Sequence, residues 1–151
     1  MPLKRTIEKA RRDKHEGKSA STQAGEFVRD EIDKIRHGEH GARSAKQAIA
    51  IGLSEARRAG VDLPPPQRGQ TSERTRKSAE YAYEAGQGQR KPKRRPRVSR
   101  AVTKALKREP RNTVSPKALS QQARSAASSR TAAQRSAAAE KAARTRARRK
   151  S

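Results

Sequence analysis

The sequence has no cysteine and no tryptophan, and aromatic residues make up only 2% of its 151 positions. Without cysteine there can be no disulfide bond, no thiolate metal ligand and no cysteine nucleophile. Leu, Ile, Val and Phe together contribute 16 residues, which is about 11% of the chain, and highly charged chains below roughly 20% are usually disordered. The composition therefore predicts too little apolar surface for an ordinary domain.

Long hydrophobic runs and enzyme motifs are also missing. No apolar stretch approaches the roughly 18 residues of a membrane span, and the amino-terminal MPLKRTIEKARRDK lacks the apolar core of a signal peptide. The sequence holds no dinucleotide-binding, phosphate-loop or nucleophile-elbow motif. We therefore expect an intracellular, soluble protein with no membrane partner, no enzyme activity, no catalytic residue and no cofactor.

One short segment, HGEHG, carries metal-ligating side chains in His37, Glu39 and His40. Two imidazoles and a carboxylate are ligands that transition metals accept. The spacing departs from the helical H-E-x-x-H pattern, and the two glycines give the segment conformational freedom. We therefore interpret it as a polar loop between helices and predict no metal site.

Positive charge, by contrast, is abundant: 39 Lys and Arg residues outnumber 15 Asp and Glu residues, which gives a net charge of +24. The net charge is +4 over residues 1–63, +1 over residues 64–89 and +19 over residues 90–151. Most of the large aliphatic residues lie in the first of these ranges. This asymmetry predicts a head that can fold in part and a basic tail that binds a polyanion.

The head is predicted to be helical. Residues 1–20 form a basic segment in which Thr6 can cap a short helix. The segment GEFVRDEIDKIRHG then places apolar residues at helical spacing, and AKQAIAIGLSEARRAG follows a capping box made by Ser44 and Gln47. Two helices with a short glycine-containing connection predict a helical hairpin over residues 21–63. Its predicted packing or partner face consists of Phe27, Val28, Ile32, Ile35, Ala48, Ile49, Gly52, Leu53 and Ala56.

Three interpretations of this hairpin stay open. Ala48, Gly52 and Ala56 recur every four positions, so the second helix can approach a neighbour closely. The favoured interpretation is that this face packs on the first helix of the hairpin. The alternatives are a docking face for another protein and a helix-turn-helix DNA reader whose recognition helix covers residues 45–59.

Residues 21–66 contain three distinctive words, GEFVRDEI, HGARS and KQAIAIGLSEARRAG. In this stretch the sequence resembles a family of small basic bacterial proteins of uncharacterised function, which are loosely described as DNA-binding. The resemblance implies a bacterial cytoplasmic setting. It implies no catalytic or binding residue, because none is established for that family.

Residues 64–89 are predicted to be a linker with prolines at its start and a short helix from about Ser72 to Ala85. Both tyrosines of the chain, Tyr81 and Tyr83, lie in this linker. We interpret them as ordinary linker residues. The alternative is that they stack on exposed bases, as aromatic side chains do in single-strand binders.

The tail, residues 90–151, begins with RKPKRRPR. Pro92 and Pro96 favour an extended backbone and oppose a helix, so we expect the cations to fan out along a groove lined by phosphates. The segment resembles a degenerate AT-hook that lacks the central Arg-Gly-Arg-Pro core. VSRAVTKALKRE then predicts a basic amphipathic helix that ends at Pro110, and residues 120–151 are dominated by Ala, Ser and Arg.

Repulsion among its cations opposes helices in the free tail, and phosphates would remove that repulsion. We therefore predict an intrinsically disordered tail that gains helix on binding. Its composition resembles linker-histone tails and the histone-like tails of some bacterial nucleoid proteins. The residues predicted to bind nucleic acid are Arg90, Lys91, Lys93, Arg94, Arg95, Arg97, Arg100, Lys104, Lys107, Arg108, Arg144, Arg146, Arg148, Arg149 and Lys150.

The predicted fold is mainly α with extensive disorder: a small helical hairpin head followed by a disordered basic tail. The predicted function is non-catalytic, largely sequence-independent DNA binding by a nucleoid-associated, histone-like protein. One alternative is an RNA- or ribosome-associated protein. Another is a protein-interaction module in residues 21–63 that the tail tethers to nucleic acid. The sequence predicts no oligomeric state.

Overall fold

The computed structural model describes residues 2–150 and contains seven α-helices and one 3-10 turn within that range. The chain divides into two compact units, residues up to Val114 and residues from Ser115 onward. None of the helices in residues 2–150 is long and apolar enough to cross a membrane. The helices are α1 (Lys4–His15), α2 (Ala20–Arg36), α3 (Ala45–Arg58), α4 (Glu73–Gly86), α5 (Pro96–Arg108), α6 (Pro116–Ser128) and α7 (Ala132–Lys150), and the 3-10 turn is Asn112–Val114.

The predicted helical character is confirmed, but the predicted disorder is wrong, because helices run along the whole described chain. The count of Leu, Ile, Val and Phe underestimated the core, because the core is built mainly from alanine. Eight of the twelve buried hydrophobic residues are Ala, and the other four are Phe27, Ile35, Val61 and Val114. Alanine brings little apolar area per residue, but it lets helices approach closely and has the highest helix propensity.

The prolines of the basic region also act differently from the prediction. Pro96 and Pro116 stand at the first turns of α5 and α6. Proline is favourable there, since its missing N–H would have no intrahelical partner and its φ already suits a helix. Pro96 therefore starts a helix that we expected it to oppose, and the predicted gain of helix on binding loses its basis.

α2 and α3 form the helical hairpin. Ser19 caps α2, and Ser44 caps α3 by accepting from the Gln47 N–H at 3.1 Å. The helices meet at Gly52, where a Cβ would lie 2.6 Å from the Val28 Cα. Such a short distance leaves no room for a side chain, so glycine permits the contact.

Two apolar clusters hold the first unit together. One lies between α1, α2 and α3 and centres on Phe27, which is 1% exposed and packs with Ala10, Ala24, Ala56 and Val61. The other joins Ile35, Ala42 and Ala48 to Val114, which is also 1% exposed. The second cluster therefore includes a residue from the predicted disordered tail.

α4 packs on α3. Ala79 and Ala82 are buried, and Gly86 lies so close to the Arg57 carbonyl that a Cβ would collide with it. The Tyr83 hydroxyl donates to Asp62 Oδ1 at 2.6 Å, and this bond raises the pKa of Tyr83. The predicted linker is thus part of the folded unit. Because α4 is packed on α3, the point at which the following basic residues leave α4 is fixed.

Residues 106–114, here called the return segment, run from the end of α5 back to the loop between α2 and α3. The Gly41 N–H donates to the Leu106 carbonyl and the Ala42 N–H to the Pro110 carbonyl, each at 2.9 Å. The Thr113 hydroxyl donates to the Ala42 carbonyl at 2.8 Å. These bonds fix the carboxyl end of α5 on the hairpin.

The second unit consists of α6 and α7. Ser115 caps α6 by accepting from the Ala118 N–H at 3.2 Å. Thr131 and Gln134 form a reciprocal capping box at the start of α7, with distances of 3.0 and 3.2 Å. No described residue of either helix is buried, so local propensity and caps supply their stability.

Candidate nucleic-acid interface

The most basic surface of the first unit is built by two consecutive parts of the chain. Residues 90–95, here called the cationic segment, leave α4, and α5 follows. Residues 90–108 hold ten cations and no acid, and each of those ten side chains is exposed. Every nucleic-acid-binding residue predicted between positions 90 and 108 therefore lies on the surface.

The cations of α5 lie along one side of the helix. They are Arg97, Arg100, Lys104, Lys107 and Arg108, and their spacing places them within one stripe. None of the five forms an ion pair with an acid within residues 2–150. Because no side chain in the described part of the chain neutralises this stripe, it is available to an external polyanion.

The other side of α5 is apolar and also exposed. Val98 and Val102 are 54% and 52% exposed, and no residue of α5 is buried. Leu106 is half-buried, at the end where the return segment meets the hairpin. α5 is thus held at its carboxyl end and projects its cationic stripe into solvent.

The cationic segment wraps around Tyr81 of α4. The Lys93 N–H donates to the Tyr81 hydroxyl oxygen at 3.1 Å, and the Arg90 guanidinium carbon lies 5.1 Å from the centre of the ring. Arg90 Nε also donates to Glu84 Oε2 at 2.7 Å. Tyr81, Arg90, Lys91, Lys93 and Arg95 line a cavity of about 460 Å³, here called the Tyr81 pocket. The sequence placed Tyr81 in a linker and Arg90 in a tail, so it did not predict this pocket.

The remaining predicted cations lie on α7, in the second unit. Arg144, Arg146, Arg148, Arg149 and Lys150 are all exposed in its last two turns. Arg144 lies 3.9 Å from Glu140, and both side chains are largely in solvent. An exposed pair of this kind contributes little to stability and leaves Arg144 accessible.

The predicted hairpin face lies inside the protein. Ala48, Gly52 and Ala56 are buried on α3, and Phe27 is buried on α2. Val28, Ile32, Ile49 and Leu53 are partly buried beside them, and Ile35 is fully buried. The face therefore packs mainly within the first unit, in agreement with the favoured interpretation.

A buried polar cluster beside this face was not predicted. Lys34 Nζ lies 3.1 Å from Asp30 Oδ2 and 3.8 Å from Glu55 Oε2, and His40 Nε2 lies 3.1 Å from Glu31 Oε1. Burial raises the pKa of Glu31, although the charge of His40 opposes this effect. The only sequence signal for the cluster is the i, i+4 spacing of Asp30 and Lys34.

His37, Glu39 and His40 do not come together as a metal site. His37 and Glu39 are exposed, whereas His40 is partly buried and faces Glu31. Within residues 2–150 there is no group of three or more His, Cys, Asp or Glu residues arranged to hold a metal ion.

The fold and surface thus define a helical protein with a small alanine-rich core and an exposed cationic face, whose stripe on α5 pairs with no acid among residues 2–150. Residues 3–67 match the profile of a family described as "Family of unknown function (DUF6496)". This match covers α1, α2 and α3 and stops before the cationic segment. It agrees with the resemblance of the head to an uncharacterised family. No curated protein and no solved structure matches the chain.

Proposed function

We propose that the protein binds DNA without catalysis and largely without sequence selectivity, through the cationic segment, α5 and the cations of α7. The observation that supports this most is the run from Arg90 to Arg108, which has ten exposed cations and no acid. Binding would release counterions from the phosphates, so affinity should fall steeply with salt.

α5 suits this role because its cations are presented by a formed helix. A helix of 13 residues is about 20 Å long, and the major groove of B-DNA is about 12 Å wide and admits a helix. Since the return segment holds α5, little ordering entropy has to be lost on binding. Cations that contact only phosphates carry no sequence information, which fits binding without sequence selectivity.

The experiment removes the stripe without shortening the chain, because deletion of residues after 89 would take Val114 out of the core. The variant replaces Arg97, Arg100, Lys104, Lys107 and Arg108 with Gln, which keeps a good helix former at each position. The control replaces five exposed cations of α1 with Gln, namely Lys4, Arg5, Arg11, Arg12 and Lys14. Both variants lose five positive charges.

Duplex binding is titrated at several salt concentrations. We expect the α5 variant to bind at least about tenfold more weakly and its log–log salt slope to fall by up to about 4.5, since each of five lost phosphate contacts removes about 0.9. The α1 control should stay close to the wild type. Equal losses in the two variants would show that total charge alone matters and would contradict the proposed interface. Structured RNA as a competitor then tests the preference for DNA.

A further inference from the structure

We propose that the Tyr81 pocket binds one unpaired nucleotide of a single DNA strand. Its base would stack on the outer face of the Arg90 guanidinium, and its phosphate would lie between Lys91, Lys93 and Arg95. This inference rests on the proposed function, because it assigns a form of DNA to one part of the same basic surface.

Arg90 provides a plane on which a base can stack. One side of its guanidinium lies over the Tyr81 ring, at 5.1 Å from the ring centre, and its Nε donates to Glu84 at 2.7 Å. Two contacts therefore orient the group, yet 52% of the side chain is exposed. Bases stack on arginine planes as well as on aromatic rings, and a plane that is already oriented loses little entropy when it binds.

The rest of the pocket suits a phosphate. Lys91, Lys93 and Arg95 are exposed and form no salt bridge within the described part of the chain. The bond from the Lys93 N–H to the Tyr81 hydroxyl holds this strand of cations beside the ring. Glu84 is the acid that contacts Arg90, and the Arg90 guanidinium neutralises its charge. The pocket therefore offers cations without a competing anion.

The size and chemistry of the pocket favour an unpaired nucleotide over a duplex. A volume of about 460 Å³ falls within the range of roughly 300–1,000 Å³ for small-molecule sites. A base in a duplex is already paired and stacked, and extracting it is energetically costly. The stripe on α5 needs only phosphates, whereas stacking on Arg90 needs a free base, so the two sites should respond to different forms of DNA.

The test uses the tyrosine fluorescence of the full-length protein. The chain has no Trp and two Tyr, so Tyr83→Phe leaves Tyr81 as its only tyrosine and its dominant emitter. This variant is titrated with oligothymidylate of about 12 nucleotides, within the site sizes of single-strand binders, with an abasic strand of the same length, and with a duplex. We expect oligothymidylate to quench Tyr81 emission and the abasic strand to leave it nearly unchanged.

Affinity is measured separately in the wild-type background, so that the result does not depend on Tyr83→Phe. Arg90→Lys keeps the charge and removes the plane, and it should weaken oligothymidylate binding about fivefold or more. Duplex affinity should fall by a smaller factor than oligothymidylate affinity, since the lysine keeps the charge that contacts phosphate. Arg94→Lys is the matched control, because Arg94 is exposed next to the pocket but does not line it.

Four outcomes would overturn the inference. If Arg90→Lys and Arg94→Lys weakened oligothymidylate binding equally, the planar guanidinium of Arg90 would have no special role. Equal quenching by the abasic strand and by oligothymidylate would leave an anion site with no base. If duplex binds with a steep salt dependence while the single strand leaves Tyr81 emission unchanged, this inference fails alone. If neither form of DNA binds at low salt, the proposed function fails with it.

Discussion

The buried Glu31 lies beside the partly buried His40, and the ionisation of Glu31 is linked to stability. Glu31 is 1% exposed, and burial raises its pKa because the low-dielectric surroundings disfavour the carboxylate. A carboxyl whose folded-state pKa is raised stabilises the fold below its unfolded pKa and loses that contribution as pH rises through the folded pKa. The free energy of unfolding should therefore include a Glu31 term that declines from acid toward neutral pH.

Glu31→Gln removes this term and keeps a side chain of the same shape. We expect the difference in unfolding free energy, wild type minus variant, to decrease as pH rises from below the ordinary glutamate range to neutrality. Urea denaturation at a series of pH values measures this difference. The titrating groups that do not interact with Glu31 are common to both proteins, so their effects largely cancel in it. Glu8→Gln, at an exposed position of α1, should give a nearly flat difference. A difference that rises with pH for Glu31→Gln would instead mean that ion pairing with His40 dominates burial.

The return segment is the element that connects α5 to the hairpin, and Gly41 is where it fits most tightly. A Cβ at Gly41 would collide with the carbonyl groups of Glu109 and Pro110. Gly41→Ala should therefore displace the segment, break its hydrogen bonds to Gly41 and Ala42, and expose Val114. We expect a loss of about 2 kcal/mol or more in unfolding free energy, as for other overpacked sites that also lose hydrogen bonds.

Chemical denaturation measures this loss, and Gly25→Ala is its control. Gly25 lies inside α2, and a Cβ there would meet nothing within 4 Å. Replacing a helical glycine with alanine at an open position should stabilise the protein by up to about 1 kcal/mol. If the two alanine variants had the same stability, the return segment would not be packed on the hairpin in solution.

Local patterns in the sequence predict some of these elements well. The apolar spacing around Ile32 and the capping box at Ser44 predicted two helices that the structure contains. α2 begins at Ala20, ahead of the predicted segment. Its first turns pack through Ala24 against Phe27, but alanine adds nothing to an apolar count based on large residues. Alanine on a helix face gives a weak hydrophobic signal, and this weakness also concealed the core of the first unit.

Contacts between distant parts of the chain could not be predicted in the same way. Arg36 Nη2 donates to the Val114 carbonyl at 3.1 Å, across 78 positions of sequence. Neither residue carries a local signal for the other, so Val114 was assigned to a disordered tail. The Tyr81 pocket was missed for the same reason, because its cations follow α4 only after a turn of the chain. The sequence predicted that the cations are exposed, because they are charged. It could not predict which of them lie together, because their grouping depends on the fold.

Helix content distinguishes the observed structure, which is helical along the described chain, from the predicted folded head with a disordered tail. The α-helices cover about two-thirds of the 151 residues, and more than a third of that helix lies in α5, α6 and α7. Far-ultraviolet circular dichroism of the free protein should therefore give a helix content near two-thirds. Addition of duplex DNA should change it by less than about a tenth, since coupled folding is not required for binding. If the free protein had about half that helix content and gained the rest with DNA, the basic helices would form only on the polyanion. The proposal that α5 presents a pre-formed cationic stripe would then be wrong.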